Sequence, residues 1–151
     1  KLSFNDVLNL RGETKYIKTG GNKMHKRWET TVIFLSGAGG YYAIELMWRG
    51  HSHWTMAITG GTCMCLLYRL NRRIDKKPII LKAVAGAGII TAVEFLVGCI
   101  VNLGLKWEVW DYSKMRFNVL GQICPLYFFL WMLLCVPVFP LCRAINKHIF
   151  R

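Results

Sequence analysis

The sequence predicts an all-α, polytopic membrane protein whose four transmembrane helices form a compact bundle with both termini in the cytoplasm. First, the 151-residue chain is 54% hydrophobic and has a mean hydropathy of +0.30. Second, several apolar stretches approach the roughly 20 residues that cross a bilayer as a helix. Third, these stretches show no two-residue alternation, and a spanning segment must satisfy its own backbone hydrogen bonds. Helices meet that requirement within each segment.

The elements follow in order along the chain. Residues 1–30 are polar and basic, and they predict a cytoplasmic segment with a short amphipathic helix capped by Ser3 and ended by Gly12. Residues 31–145 form the predicted transmembrane domain, and residues 146–151 form a basic cytoplasmic tail. The four predicted spans cover about 31–48, 54–70, 79–104 and 120–143.

The formal charge of +12 is distributed unevenly among the segments between spans. Most basic residues precede span one, join spans two and three, or follow span four, which places these segments in the cytoplasm under the positive-inside rule. Basic residues near the surface also attract anionic lipid, by about 1 kcal/mol each. Nucleic-acid binding is the minor interpretation and is confined to the N-terminal segment. Four of the 20 basic residues fall on the outer side: Arg49, Lys106, Lys114 and Arg116.

Small residues and prolines predict how the helices pack. Ser36–Gly40, Gly60–Gly61 and Ala83–Gly88 are rich in glycine and alanine, which allow close approach of helices in lipid and favour a homo-oligomer. Pro137 and Pro140 remove backbone donors, so the end of span four is expected to kink or unwind.

Two glutamates within the apolar stretches are the strongest indication of function. A carboxylate at the bilayer centre costs about 2.5–3.5 kcal/mol on insertion scales and is usually paired or functional. Glu45 has Arg49 at i+4, so a structural ion pair explains it. Glu94 has no such neighbour. It is either a protonated hydrogen-bonding member of the core or a titrating group that binds or relays a cation. Its helix face carries Ala87, Thr91, Gly98 and Asn102, and span two offers a matching stripe of Thr55, Thr59 and Thr62.

The segments predicted on the outer side carry further polar groups. His51 and His53 could bind a metal together with Asp111 or Glu45, but histidines that bond loop carbonyls explain the short pattern as well. We therefore assign no metal and no cofactor. Asn118 and Gln122 could complete a polar pocket that opens outward. The candidate substrate-binding or ion-binding residues are Glu45, Arg49, His51, His53, Glu94, Asp111, Tyr112, Asn118 and Gln122.

A family resemblance rests on several motifs in order. These are Glu45–Met56, Gly60–Gly61, Glu94, Trp110–Ser113 and Asn118–Cys124. Over about residues 31–143 the chain resembles the "Putative ABC-transporter type IV", or CmpB-like, family of small bacterial membrane proteins described as ABC transporter permeases. The resemblance implies a multi-pass protein of the bacterial cytoplasmic membrane. The sequence contains no G-x-x-x-x-G-K-[ST] nucleotide loop, so an ATPase would be a separate polypeptide.

Three functions are compatible with these features. The first is a transport-related, permease-like subunit with a polar intramembrane site around Glu94 and Glu45, embedded in lipid as a homo-oligomer or part of a larger complex. The second is a non-enzymatic scaffold or receptor subunit that recruits a cytoplasmic partner through its basic N-terminus. The third is an intramembrane enzyme using His51, His53, Asp111 and a glutamate for acid–base work, which ranks last because no nucleophile–base pair is evident.

Overall fold

The computed structural model describes the backbone of residues 4–149 and the side chains of residues 26–147. Within that part the chain is all-helical, as predicted, and its only strand-like feature is an isolated bridge between Val119 and Ile123. The helices are α1 (Phe4–Arg49), α2 (Trp54–Arg73), α3 (Ile79–Gly98, continued by π-helical turns at Cys99–Gly104) and α4 (Pro125–Ile149).

The first helix differs most from its prediction. The predicted stop at Gly12 is wrong, because α1 continues through it to Arg49. One glycine costs a helix only about 1 kcal/mol, which is too little to end it. The predicted cap at Ser3 and the predicted apolar face beside it lie outside the described residues. Backbone contacts divide the chain into two units, Lys1–Val32 and Ile33–Arg151.

Four apolar spans were predicted, and two helices of the described part have the length and apolar character of a span. Ile79–Gly104 and Pro125–Lys147 are long and apolar enough to cross a membrane. The first matches its predicted bounds, whereas the second begins five residues later than predicted because residues 120–124 form turns. Within the described residues, α1 and α2 contain no segment that is long and apolar enough to cross a membrane, since ionic and hydroxyl side chains interrupt their apolar stretches.

The two prolines of α4 do not unwind it. The helix continues through Pro137 and Pro140 to Ile149, so the expected unwinding is wrong. Phe139 and Cys142, which flank the second proline, are fully buried. Packing against neighbouring helices supports a helix that has lost backbone hydrogen bonds to proline.

Helices α2, α3 and α4 pack against one another in all three pairs. The largest hydrophobic cluster takes two residues from each: Cys63, Leu67, Ala83, Ile90, Cys135 and Phe139. At Gly86 an added Cβ would lie 2.7 Å from the Sγ atom of Cys135, so the missing side chain allows α3 and α4 to approach closely. A second cluster joins Ile33 of α1 to Met64, Tyr68 and Cys142.

The connection between α2 and α3 is held by a buried lysine. Lys82 is fully buried, and its Nζ atom donates to the backbone oxygen of Asp75 at 2.7 Å and to Oδ1 of Asn71 at 3.2 Å. The Asp75 carboxylate also pairs with Arg143 of α4 at 3.0 Å. A charge counted from sequence as an inner-surface cation therefore lies inside the protein.

Glycine at position 60 sets the distance between α1 and α2. A Cβ atom there would lie 2.8 Å from Cγ of Tyr41 and 2.9 Å from the backbone oxygen of Gly37. We expect Gly60→Ala to lower the free energy of unfolding by about 1–3 kcal/mol, since overpacking forces the helices apart. Thermal unfolding in detergent micelles measures this effect.

Gly88 of α3 is the matched control. An added Cβ at Gly88 meets no atom of the described residues within 4 Å. Gly88→Ala is expected to be neutral or stabilising, because alanine favours a helix over glycine by about 1 kcal/mol. Equal stability of the two variants would contradict the close contact at Gly60.

Candidate functional site

The loop of residues 105–124 is held to the end of α3 by one asparagine. Asn102 donates from Nδ2 to the backbone oxygen of Trp110 at 3.0 Å and to Oε1 of Gln122 at 2.7 Å. Its Oδ1 accepts from the backbone N–H of Val109 at 2.8 Å. Val109 and Trp110 lie in the first arm of the loop and Gln122 lies in the second arm. Asn102 therefore fixes the distance between the two arms.

Trp110 anchors the loop in the core. Its side chain is 4% exposed and packs with Met56 of α2 and Val101 of the π-helical turns. Its indole Nε1 donates to the backbone oxygen of Gln122 at 3.0 Å. The loop is therefore folded back over the helices.

The second arm of the loop is a set of side-chain-stabilised turns. Asn118 donates from Nδ2 to the backbone oxygens of Met115 at 2.8 Å and Ser113 at 3.1 Å, and its Oδ1 accepts from the N–H of Gly121 at 3.0 Å. Gly121 has a φ of +69°, a left-handed conformation that suits glycine. Asn118 and Gln122, proposed from sequence as pocket residues, thus shape the loop, and neither lines the cavity described next.

A cavity of about 350 Å³ lies between the C-terminal part of α1, the start of α2, the 105–124 loop and α4. This volume falls in the range of small-molecule sites. Its charged lining consists of Glu45, Arg49 and Asp111. Six aromatic side chains also line it: Tyr41, Trp48, Trp110, Tyr112, Tyr127 and Trp131.

Glu45 forms the ion pair that its sequence spacing predicts. Its Oε1 atom lies 2.9 Å from Nη1 of Arg49, and Ser52 donates its hydroxyl to Oε2. Arg49 also donates from Nη2 to the backbone oxygen of Val109 at 2.9 Å. The pair therefore neutralises one wall of the cavity and connects α1 to the 105–124 loop.

Glu94 lies directly behind the cavity wall. Its side chain is buried, with 2% of the residue exposed, and it is not among the lining residues. Its Oε1 accepts from the hydroxyl of Tyr41 at 2.9 Å, and its Oε2 accepts from Nε1 of Trp131 at 2.7 Å. Each carboxylate oxygen thus holds one aromatic side chain that does line the cavity.

The threonines of α2 do not bind Glu94. The hydroxyls of Thr59 and Thr62 donate to backbone oxygens four residues earlier, at Thr55 and Ile58, over 2.8 and 2.9 Å. The backbone carbonyl four residues earlier is within reach of a threonine hydroxyl in a helix. The stripe that sequence spacing paired with Glu94 is therefore satisfied locally.

The two histidines do not face the cavity. His53 precedes α2 and caps it, since its Nδ1 accepts from the N–H of Thr55 and lies 2.8 Å from the hydroxyl of the same residue. Its ring packs 5.5 Å from Trp54 and from Trp107. His51 is exposed. Among the described residues, no three His, Cys, Asp or Glu side chains are grouped to hold a metal ion.

Asp111 and Tyr112 present different chemistry to the cavity. Asp111 is exposed and accepts from the hydroxyl and the N–H of Ser113 at 2.5 and 2.8 Å, and these bonds hold its pKa below the ordinary value. It is therefore a charged carboxylate at neutral pH. Burial raises the pKa of Tyr112 well above its usual value, so its phenol stays neutral.

Five aromatic residues that line the cavity were not among the candidates from sequence: Tyr41, Trp48, Trp110, Tyr127 and Trp131. For three of them the spacing carried a signal, because Tyr127 and Trp131 are four residues apart and share a face of α4, as Tyr41 and Glu45 do on α1. Nothing local indicates that these two faces meet, since the hydrogen bonds to Glu94 join residues 53 and 37 positions apart.

The described residues are all-helical and include two helices long and apolar enough to cross a membrane, which is consistent with a membrane protein. Residues 30–151 match the model of the family described as "Putative ABC-transporter type IV". The chain belongs to this family, as its motifs predicted. No curated protein and no solved structure matches the chain.

Proposed function

We propose that this chain is a permease-like subunit of a bacterial ABC-type transport system and that the cavity binds the transported ligand. The observation that carries the proposal is the cavity itself, which is large enough for a small molecule and lined by charged and aromatic side chains. The family supplies the transport context.

In the proposed arrangement α1 and α2 accompany α3 and α4 through the membrane, with both termini in the cytoplasm and the 105–124 loop outside. Helix α2 has 20 residues, as α3 has before its π-helical turns, and packs along it. Its threonine hydroxyls bond within the helix, which lowers their cost in lipid. Most basic residues lie on the side of the membrane opposite the 105–124 loop. This excess supports a cytoplasmic position for that side.

The ion pair beside the cavity offers a route from ligand binding to movement. Arg49 contacts Glu45 on its own helix and Val109 on the loop. A ligand that competes for either charge would weaken the connection between α1 and the loop. Binding in the cavity would therefore change the position of the loop relative to the helix.

Energy would come from a separate ATPase, because this sequence contains no nucleotide-binding loop. We propose that the chain forms a homo-oligomer or joins a larger complex that includes this ATPase. Three glycines support further helix association: Gly39, Gly40 and Gly88. A Cβ atom added at any of these positions would meet no atom of the described residues within 4 Å, so another helix could approach closely there.

Purification from bacterial membranes in mild detergent tests this function. We expect the wild-type complex to hydrolyse ATP. Arg49→Met should lower that rate about tenfold or more, the scale set by loss of a charge-assisted hydrogen bond. The matched control is Arg116→Met, since Arg116 is exposed in the 105–124 loop and does not line the cavity.

Two results would contradict the proposal. One is that the purified chain shows no ATPase activity and Arg49→Met leaves the function of the protein in cells unchanged. This result would support the scaffold function. The other is an equal rate in both arginine variants, which would show that the ion pair has no part in the coupled reaction.

A further inference from the structure

We infer that the ligand of the cavity is a small organic cation. This inference rests on the proposed function, because it names the class of molecule that the same cavity would take. It is carried by three features of the described residues: a continuous aromatic wall, an excess of negative charge, and a buried carboxylate behind the wall.

The aromatic wall consists of four rings in sequence. Tyr112 stacks on Tyr127 with centroids 4.3 Å apart, Tyr127 lies 6.2 Å from Trp131, and Trp131 lies 5.8 Å from Tyr41. The faces of such rings carry negative electrostatic potential. A cation within about 6 Å of a ring centroid is attracted to this potential, and quaternary ammonium groups are recognised in this way.

The charged groups favour the same ligand. The lining contains two carboxylates and one guanidinium, so its formal charge is −1. Arg49 is occupied by Glu45 and by the backbone oxygen of Val109. The Asp111 carboxylate, by contrast, is exposed at the cavity and bonded to neutral groups of Ser113, and the charge of Lys114 acts on it more weakly. An anion would meet this carboxylate and the ring faces, whereas a cation is attracted by both.

Glu94 acts on the wall from behind. It accepts hydrogen bonds from the hydroxyl of Tyr41 and the indole N–H of Trp131. These two bonds fix the positions of both rings in the wall. Glu94 is therefore a positioning residue that acts through Tyr41 and Trp131 and does not touch the ligand.

A charged probe and its neutral counterpart of the same shape test the inference. Binding of tritiated choline to the purified full chain is measured by scintillation proximity, with 3,3-dimethylbutan-1-ol as competitor. We expect saturable choline binding, and the alcohol should bind at least about tenfold more weakly, since it lacks the charge that the rings attract.

Two pairs of variants locate the binding. Tyr127→Leu and Asp111→Asn should each weaken choline binding about tenfold, the scale of one desolvated cation–π or charge contact. Their controls are Trp107→Leu and Glu108→Gln, which alter an aromatic and an acidic residue of the 105–124 loop that do not line the cavity. The controls should bind choline as the wild type does. If Tyr127→Leu does not fold, the exposed Asp111 variant still provides the test.

Equal affinity for the alcohol, or no saturable choline binding, would overturn the inference. The inference would also be overturned if the Asp111→Asn variant and a folded Tyr127→Leu variant both bound choline as the wild type does. These outcomes leave the proposed function standing if the complex still hydrolyses ATP and responds to Arg49→Met. Loss of the ATPase result with retained choline binding would instead overturn the transport function alone.

Discussion

Trp110→Ala is expected to lower the free energy of unfolding by about 3–5 kcal/mol, the range for removing a large buried aromatic side chain. The indole is 4% exposed, packs with Met56 and Val101, and donates to the backbone oxygen of Gln122 at 3.0 Å. Its removal opens a cavity beneath the 105–124 loop and leaves that oxygen without its donor. The loop would lose its anchor in the core, so choline binding should weaken as well.

Unfolding by heat in detergent micelles measures the change in stability. Phe117→Ala is the control, because Phe117 lies in the same loop and is 85% exposed. Its effect should stay within about 0.5 kcal/mol, as for surface substitutions generally. A Trp110 variant as stable as the Phe117 variant would show that the loop is not anchored through its indole.

The second large effect concerns Glu94→Leu, which removes both acceptors from a buried site. The hydroxyl of Tyr41 and the indole N–H of Trp131 would then have no partner at this position. Each unpaired buried donor costs about 1–3 kcal/mol, so the expected loss of stability is about 2–6 kcal/mol. Thermal unfolding measures this loss, and the two aromatic side chains should also move from the wall of the cavity.

Glu94→Gln separates the two roles that sequence left open for this residue. Glutamine keeps one acceptor oxygen and the shape of the side chain, so the expected loss of stability is smaller, about 1–3 kcal/mol. If Glu94 positions the aromatic wall, the variant should assemble and bind choline more weakly than the wild type. Complete loss of function in a variant as stable as the wild type would show instead that the carboxylate titrates or contacts the ligand.

Local spacing predicted much of the fold. The predicted span at 79–104 coincides with α3 and its π-helical turns, and the predicted start at 54 coincides with the start of α2. The start of α4 was placed too early, because Leu120 and Gly121 are apolar or small but adopt positive φ values in a turn. Hydropathy does not detect that conformation, which depends on the hydrogen bonds that Asn118 makes within the loop.

The candidate site was predictable only where its contacts are local. Glu45 and Arg49 are one helical turn apart, and their ion pair is present as predicted. Asp111 was selected as a polar group on the predicted outer side, and it does line the cavity. For Asn118 and Gln122 the same kind of argument identified polar residues near the site, but their hydrogen bonds are made within the loop.

The amino-acid pattern alone determined the helical class, the apolar helices, the local ion pair and the family. These properties depend on composition, on contacts three or four residues apart, and on motifs in linear order. Only the tertiary structure decided that Glu45 lines the cavity while Glu94 lies behind it. The reason is physical: Glu94 meets its partners across 53 and 37 residues of chain, and which helix faces meet depends on packing of the whole core.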